Sequence, residues 1–199
     1  MSLLDDLIQN TNDIVDIVDN FKSYCTSGEY LVIPEGVTEI KGGIFYRDVS
    51  PYYSNNLKSV TFPSTLRTIG YQSFSGQSYI TELVIPHGVT TISSSAFAGC
   101  NGVQRLYLPN TLTICSSNAF TPTSKMTSFE VEQDFNCKLS SNVVFSNANL
   151  SADVMVNVFN NLKDRTGDNA YTLTIGSTNL AKLTAEQIAI ATNKNWNLA

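Results

Sequence analysis

The residues of this chain that could take part in catalysis or bind a metal are few and lie far apart in the sequence. His87 is the single histidine among 199 residues. The cysteines, Cys25, Cys100, Cys115 and Cys137, show no C-x-x-C spacing. Zinc sites need clustered ligands, and a cysteine nucleophile needs a base beside it. We therefore predict no metal site, no cofactor and no enzymatic activity, and we interpret His87 as a solvated turn residue.

The amino-acid composition limits which classes of partner the chain is expected to bind. Charged residues make up 15% of the chain, with a net charge of −5, which argues against nucleic acid as a ligand. No apolar run is long enough for a membrane-spanning helix, so we predict no membrane insertion. The start "MSLLDDLIQN" has no basic region followed by a long apolar stretch, so it does not read as a signal peptide. Two locations stay open: the cell surface or extracellular space, if an export signal has been removed, or otherwise the cytoplasm or a phage virion.

The elements that would position any site repeat along the chain. Four segments align, namely "YLVIPEGVTEIKGGIF", "SVTFPSTLRTIGYQSF", "ELVIPHGVTTISSSAF" and "RLYLPNTLTICSSNAF". Their prolines recur every 23 residues except for one 29-residue step, which we interpret as an insertion within "RDVSPYYSNNLKS". Self-similarity at a period of 20 to 50 residues predicts a solenoid.

Apolar residues keep a fixed register relative to each proline. Side chains alternate along a strand, so the residues three and one before the proline face the core, and the proline ends the strand at a corner of the coil. Stacked copies then bury together a face that one copy cannot bury alone. The columns at three before, one before, six after and eleven after the proline are Leu31, Val60, Leu83 and Leu106; Ile33, Phe62, Ile85 and Leu108; Ile40, Ile69, Ile92 and Cys115; and Phe45, Phe74, Phe97 and Phe120.

A fifth, altered copy follows in "SFEVEQDFNCKLSSNVVF". Glu132 takes the place of the proline, Lys138 is expected to interrupt the next apolar column, and Val143 stands where the other copies have phenylalanine. Terminal copies are atypical because they close an open core, so we predict that this copy is the last turn of the coil.

The cysteines are predicted to be free thiols. Cys115 replaces an isoleucine of its column and Cys100 ends a repeat turn, so both are expected to be buried as small apolar side chains. Disulfide frameworks are typical of shorter, cysteine-dense chains. A disulfide that involves Cys25 is left open.

The two ends of the chain differ from the repeats, which gives three predicted domains, 1–28, 29–147 and 148–199. Residues 2–25 carry an apolar stripe at helical spacing. This predicted helix is either a cap over the first copy or a helix for docking and oligomerisation. The C-terminal domain is expected to be a helix–strand–helix unit, with a first helix from Ser151 to Gly167 and the strand "YTLTIG".

The second C-terminal helix has strong start and stop signals. Thr184 and Gln187 have the spacing of a capping box. Asn195 is predicted in the left-handed conformation that ends a helix, with Trp196 packing back onto the rest of the chain.

The repeat "L-x-I-P-x-x-V-x-x-I-x-x-x-A-F-x-x-C" resembles the BspA-like, Treponema-type leucine-rich repeat. The matching residues of the third copy are Leu83, Ile85, Pro86, Val89, Ile92, Ala96, Phe97 and Cys100. The C-terminal segment is similar to a unit often attached to such repeats in anaerobic and gut bacteria and their phages. Together with the repeat period and the two end segments, the resemblance predicts an α+β solenoid, a short stack of about four to five leucine-rich repeats with a helical N-terminal cap and a helix–strand–helix C-terminal unit. It also implies a cell-surface or virion protein that mediates interactions, as adhesins of this family do.

Two surfaces are candidates for binding a protein or glycan, because solenoids recognise partners through extended faces. On the strands before the prolines, the outward positions are Tyr30, Val32, Thr61, Glu82, Val84, Arg105 and Tyr107. On the insertion, Tyr46, Tyr52 and Tyr53 resemble the composition of antibody loops. The leading hypothesis is a non-enzymatic, adhesin-like interaction module of a bacterial surface. The alternative is a structural component, for example of a phage tail, that docks through its N-terminal helix.

Overall fold

The computed structural model describes residues 30–46, 57–121, 123–139 and 145–199. The predicted helix over residues 2–25, Cys25, Tyr52, Tyr53 and Val143 lie outside these ranges. Statements about them therefore stay predictions.

Each of the five copies contributes two short strands, one before its corner residue and one after it. The strands before the corner are β1 (Tyr30–Val32), β3 (Ser59–Thr61), β5 (Glu82–Val84), β7 (Arg105–Leu108) and β9 (Ser128–Val131). The strands after it are β2 (Glu39–Ile40), β4 (Thr68–Ile69), β6 (Thr91–Ile92), β8 (Ile114–Cys115) and β10 (Lys138–Leu139). Every pair among them is parallel, and equivalent column residues lie opposite each other from the first to the fourth copy, as Leu83 and Leu106 do, while β10 is shifted by one residue. The predicted register of the repeats is confirmed.

The two faces of the coil differ in continuity. The strands after the corners form one five-stranded sheet in the order β2, β4, β6, β8 and β10. The strands before the corners form two ladders, β1–β3 and β5–β7–β9. At the step between these ladders, Phe62 stands where the neighbouring copies have isoleucine. Its ring packs edge-on against Phe74 and Phe97, with centroids 5.7 and 6.4 Å away.

Phenylalanine rings stack along the core on the third side of the coil. The centroids of Phe45 and Phe74 are 4.8 Å apart, those of Phe74 and Phe97 5.3 Å, and those of Phe97 and Phe120 5.5 Å. The last two pairs are parallel within 6° and 3°. Aromatic pairs of this kind contribute about 0.5–1.5 kcal/mol each beyond the burial of their area. The predicted phenylalanine column is thus a continuous ladder.

Threonine hydroxyls tie the proline corners of neighbouring copies together. Gly36 and Gly88, two residues after their prolines, have φ of 98° and 105°, values that suit glycine in a tight turn. The N–H of Gly88 donates to the Thr111 hydroxyl at 2.9 Å, and that hydroxyl donates to the carbonyl of Val89 at 3.0 Å. The first two copies repeat this arrangement with Gly36 and Thr65. Adjacent corners therefore hold one another at a fixed spacing.

The fifth copy keeps its apolar column, and the prediction that Lys138 interrupts it is wrong. Leu139 pairs with Cys115 and is buried, whereas Lys138 pairs with the outward-facing Ile114. One additional residue before Leu139 shifts the register and returns an apolar side chain to the core. Phe145 is also buried, with its ring 4.5 Å from that of Phe129.

The C-terminal segment contains more elements than the predicted helix–strand–helix unit. They are α1 (Ala152–Asn161), β11 (Tyr171–Leu173), α2 (Ser177–Leu180), α3 (Ala185–Thr192) and β12 (Trp196–Leu198). The predicted N-cap of α1 and the capping box of α3 are both present. Asn195 has a φ of 62°, and the buried Trp196 starts a strand that pairs in parallel with β11.

Helix α1 ends at Asn161, so the prediction that it continues to Gly167 is wrong. Leu162 is already extended and forms a parallel bridge with Phe135. The ammonium group of Lys194 donates to the carbonyls of Phe159, Asn160 and Leu162 at 3.1, 2.6 and 2.9 Å. A cation at the C-terminal end of a helix satisfies carbonyls that have no partner within the helix.

The segment from α1 to β11 stacks on the fifth copy as a further turn of the coil, so the prediction that the fifth copy is the last turn is wrong. The N–H of Phe135 donates to the carbonyl of Asn161 at 3.0 Å, and the N–H of Lys163 donates to the carbonyl of Phe135 at 2.9 Å. Met155, Val158 and Phe159 bury one side of α1. A helix thus occupies the path that a strand takes in the preceding copies.

A buried amide fixes the following elements to this turn. Asn179 donates to the carbonyls of Ala148 and Ile175 at 2.9 and 2.8 Å and accepts from the N–H of Leu150 at 3.3 Å. Buried polar groups are stabilising only when they form hydrogen bonds. Both the amide nitrogen and the amide oxygen of Asn179 do so.

Candidate interaction face

The predicted face exists as two rows of side chains on the strands before the corners. We call the ten outward residues of β1, β3, β5, β7 and β9 the strand ribbon. One row is Tyr30, Ser59, Glu82, Arg105 and Ser128, and the other is Val32, Thr61, Val84, Tyr107 and Glu130. All ten are exposed or half-buried. The structure therefore places the seven predicted residues on this face, three on the β1–β3 ladder and four on the β5–β7–β9 ladder.

Apolar side chains occupy much of the ribbon although they face outward. Tyr30 is 50% exposed, Val32 52% and Val84 45%, while the leucines between these positions in β1 and β5 are buried. Tyr107 is half-buried, and its pKa is raised by burial first and then by the carboxylates of Glu132 and Glu130. The ribbon thus combines rigid strands with exposed apolar and aromatic groups.

A three-residue ion network occupies the other part of the ribbon. The Arg105 Nε atom lies 3.0 Å from Oε1 of Glu130, and Nη2 lies 3.4 Å from Oε2. The Nη1 atom of Arg105 contacts the carboxylate of Glu82 on its other side. These bonds lower the pKa of Glu130 and raise that of Arg105. Arg105, one of the predicted binding residues, is therefore held between two carboxylates.

The comparison with protein families fits this architecture. The family model described as "BspA type Leucine rich repeat region (6 copies)" matches residues 48–174, which is more than half of the chain. The chain belongs to the BspA-type leucine-rich repeat family. The match runs through α1 and into β11, the segment that stacks as a further turn.

Two solved structures resemble this BspA-type chain. A leucine rich cell surface protein of Faecalibacterium prausnitzii A2-165 is 24% identical over 51% of this chain, with a TM-score of 0.43. The T. pallidum leucine rich repeat protein is 15% identical over 87% of this chain and 86% of its own, with a TM-score of 0.49. The aligned part amounts to 31% of the F. prausnitzii protein. No curated protein matches the chain.

One corner of the BspA-type stack departs from the repeat pattern at Glu132. Its N–H donates to the carbonyl of Leu108 at 2.9 Å, a bond that proline cannot make. Its Oε2 atom accepts from the N–H of Asn110 at 2.9 Å and lies 3.0 Å from Nδ1 of His87. The side chain of His87 is 66% exposed, as predicted for a turn residue, but it is paired with this carboxylate.

This corner predicts an acid-sensitive contribution to the stability of the repeats. Partial burial raises the pKa of Glu132, but the hydrogen bonds from His87 and Asn110 outweigh it, so the pKa lies below its ordinary value. The contribution is therefore present above pH 4.5 and is lost as the pH falls through the pKa of the folded chain. We expect Glu132→Gln to lower the free energy of unfolding by about 1 kcal/mol at pH 7, and this difference to shrink as the pH falls through the lowered pKa of Glu132.

Urea unfolding between pH 3 and 7 measures this effect. Glu39→Gln, which changes an exposed carboxyl of β2, serves as the control. A Glu132→Gln difference that stays constant over this pH range would contradict the proposed role of the carboxylate.

The second predicted surface is described only in part. Tyr46 is half-buried, and its N–H donates to the carbonyl of Gly43 at 3.1 Å. Tyr71 and Tyr79 are exposed and were not singled out from the sequence. The signal for Tyr71 was its column, eight residues after the proline, where other copies carry small residues such as Gly42 and Ser94.

The described cysteines are buried and free, as predicted for Cys100, Cys115 and Cys137. Burial raises the pKa of Cys100 and Cys137 to about 12. Such thiols stay protonated at neutral pH, so they are poor nucleophiles. Within the described ranges, no group of three or more acidic, histidine or cysteine side chains could hold a metal ion. No helix there has the length and apolar character needed to cross a bilayer.

Proposed function

We propose that this chain is a non-enzymatic interaction module that binds a protein or glycan through the strand ribbon. The observation that carries the proposal is the exposure of three apolar side chains, Tyr30 and Val32 on β1 and Val84 on β5, on strands whose inward residues are fully buried. Exposed apolar groups that lie together mark binding surfaces more often than isolated ones do.

The rigidity of the repeats supports this assignment. The corners bearing Thr65 and Thr111 are bonded to the preceding copies, and the core rings are stacked without interruption from Phe45 to Phe120. Side chains on such a frame lose little backbone freedom on association, so more of the contact energy is available for affinity. The ion network restrains Arg105 and its two glutamates in the same way.

Two matched substitutions test the ribbon as the binding face. We expect Val84→Asp to weaken binding of a ligand selected from a peptide library or a glycan array by at least about tenfold, equivalent to about 1.4 kcal/mol. Ile114, 52% exposed on the opposite sheet, is the control, and Ile114→Asp should leave the affinity unchanged. Surface plasmon resonance on immobilised full-length chain measures both.

The opposite pattern would contradict the proposal. If Ile114→Asp abolished binding and Val84→Asp did not, the five-stranded sheet would be the interaction face. Circular dichroism of both variants establishes that they are folded before affinities are compared.

We further propose that the module works at a bacterial surface as an adhesin-like protein, the setting that the BspA-type resemblance implies. Protease treatment of intact source cells should then release its peptides, as detected by mass spectrometry, while a cytosolic marker stays protected. Peptides found only in virions or in the cytosol would contradict this setting. They would favour an assembly role instead, with docking through residues 1–26.

A further inference from the structure

We infer that the ligand of the strand ribbon is a cationic polypeptide segment with an aromatic or aliphatic side chain near its basic residue. This inference rests on the proposed function and specifies the class of partner. Three features of the ribbon lead to it: its charge, the engagement of its arginine, and the distance between its apolar and acidic parts.

The charged side chains of the ribbon carry a net negative charge. Its ten positions contain two carboxylates, Glu82 and Glu130, and a single guanidinium, Arg105. Glu132 follows at the end of β9 and adds a further carboxylate, which faces His87 and Asn110. Lys58 lies one residue before β3, across the break between the two ladders. The local excess of negative charge agrees in sign with the net charge of −5 on the chain.

The position of Arg105 favours a cation over an anion as ligand. Its Nε, Nη1 and Nη2 atoms all contact carboxylates, so an anionic ligand would have to displace Glu82 and Glu130. The side chains of these two glutamates are 50% and 37% exposed. A carboxylate can accept about four hydrogen bonds, so each retains capacity for a lysine or arginine of the partner. Arg105 thus holds two acceptors in place.

The distance between the apolar and the acidic side chains of the ribbon sets the distance between the apolar and the basic side chains of the ligand. Paired strands are about 4.8 Å apart. Because β3 and β5 are not paired, Val32 on β1 is at least about 10 Å from the β5 position of Glu82 and at least about 19 Å from the β9 position of Glu130. An extended peptide rises about 3.3 Å per residue. A peptide crossing the strands would therefore place a basic side chain three to six residues from the apolar side chain that covers Tyr30 and Val32. Val32 and Val84 offer aliphatic contacts to such a side chain.

Synthetic peptides test this inference on the full chain. The probes are 12-residue fluorescent peptides with one phenylalanine and two lysines three to six positions away, the same peptides with glutamate for lysine, and the same with serine for phenylalanine. We expect the phenylalanine–lysine peptides to bind best in fluorescence anisotropy. Glu82→Gln with Glu130→Gln should weaken that binding at least fivefold, whereas Glu39→Gln with Glu186→Gln, two exposed carboxyls outside the ribbon, should change it less than twofold.

The outcomes separate this inference from the proposed function. Equal losses in the two double variants would mean that only net charge attracts the peptide, and would overturn the inference. Preferred binding of the glutamate peptides, or of glycans from an array, would overturn it as well. If Val84→Asp still abolished binding of such a ligand, the ribbon would remain the face and only the partner class would be wrong. If neither Val84→Asp nor the glutamate variants had an effect, both proposals would fail.

Discussion

Replacing Phe97 with alanine lowers the free energy of unfolding by about 3–5 kcal/mol. Phe97 is buried in the middle of the ring ladder, 5.3 Å from Phe74 and 5.5 Å from Phe120. The substitution removes two stacked contacts and leaves a cavity between copies that are linked mainly through their neighbours. Because the damage is in the middle of the stack, we expect the whole transition to move to lower urea concentration. Urea unfolding followed by circular dichroism measures it.

Two further variants show how much of the loss in unfolding free energy comes from the buried Phe97 ring. Tyr79→Ala removes an exposed ring from the preceding copy and should cost less than about 0.5 kcal/mol. Phe97→Leu keeps most of the volume and should fall between the two. A Phe97→Ala cost below about 1 kcal/mol would show that the ladder contributes little to the stability of the repeats.

Replacing Trp196 with alanine is expected to cost about 3–5 kcal/mol as well. Trp196 is buried, its ring meets that of Tyr171 edge-on at 5.7 Å, and its Nε1–H donates to the carbonyl of Lys163 at 3.0 Å. The guanidinium of Arg165 lies 3.6 Å from the centroid of the Tyr171 ring. Loss of the indole therefore affects β11, β12 and the loop between α1 and β11 together.

The variant also tests whether the C-terminal segment is continuous with the coil. If α1 and β11 are a further turn, Trp196→Ala should lower the midpoint of one transition shared by repeats and tail. Trp196→Phe, which keeps a ring but loses the bond to Lys163, should cost about 1–2 kcal/mol from that bond. A separate early transition of the tail, with an unchanged midpoint for the repeats, would contradict the continuous stack.

The core could be predicted from the sequence because each apolar column contains one residue from each of the four aligned copies. A single apolar residue says little, but Phe45, Phe74, Phe97 and Phe120 at one offset identify a buried position. The same periodicity places outward residues in rows, so the contact of Arg105 with Glu82 could also have been predicted from the columns. The ion network depends on the register that places Arg105 opposite Glu82 on β5 and diagonally beside Glu130 on β9.

Where the repeat pattern is interrupted, the sequence no longer indicates which residues face the core or where an element ends. The one-residue shift before Leu139 has no signal of its own, because Lys138 occupies the nominal column and the adjacent leucine fits equally well once the turn is lengthened. The end of α1 at Asn161 depends on Lys194, more than thirty residues away in the sequence. The residues around α1 alone favour Gly167 as the end of the helix, because they do not include Lys194, which lies in the turn between α3 and β12.

Site-specific photocrosslinking is the most direct test of the strand ribbon as the interaction face. A benzoylphenylalanine at position 84 probes the ribbon, and one at position 114 probes the opposite sheet with a similarly exposed side chain. Each full-length variant is irradiated with the cells and extracellular material of its source. We predict a discrete adduct from position 84 and none from position 114. An adduct from position 114 alone, or equal adducts from both, would contradict the assignment of the ribbon.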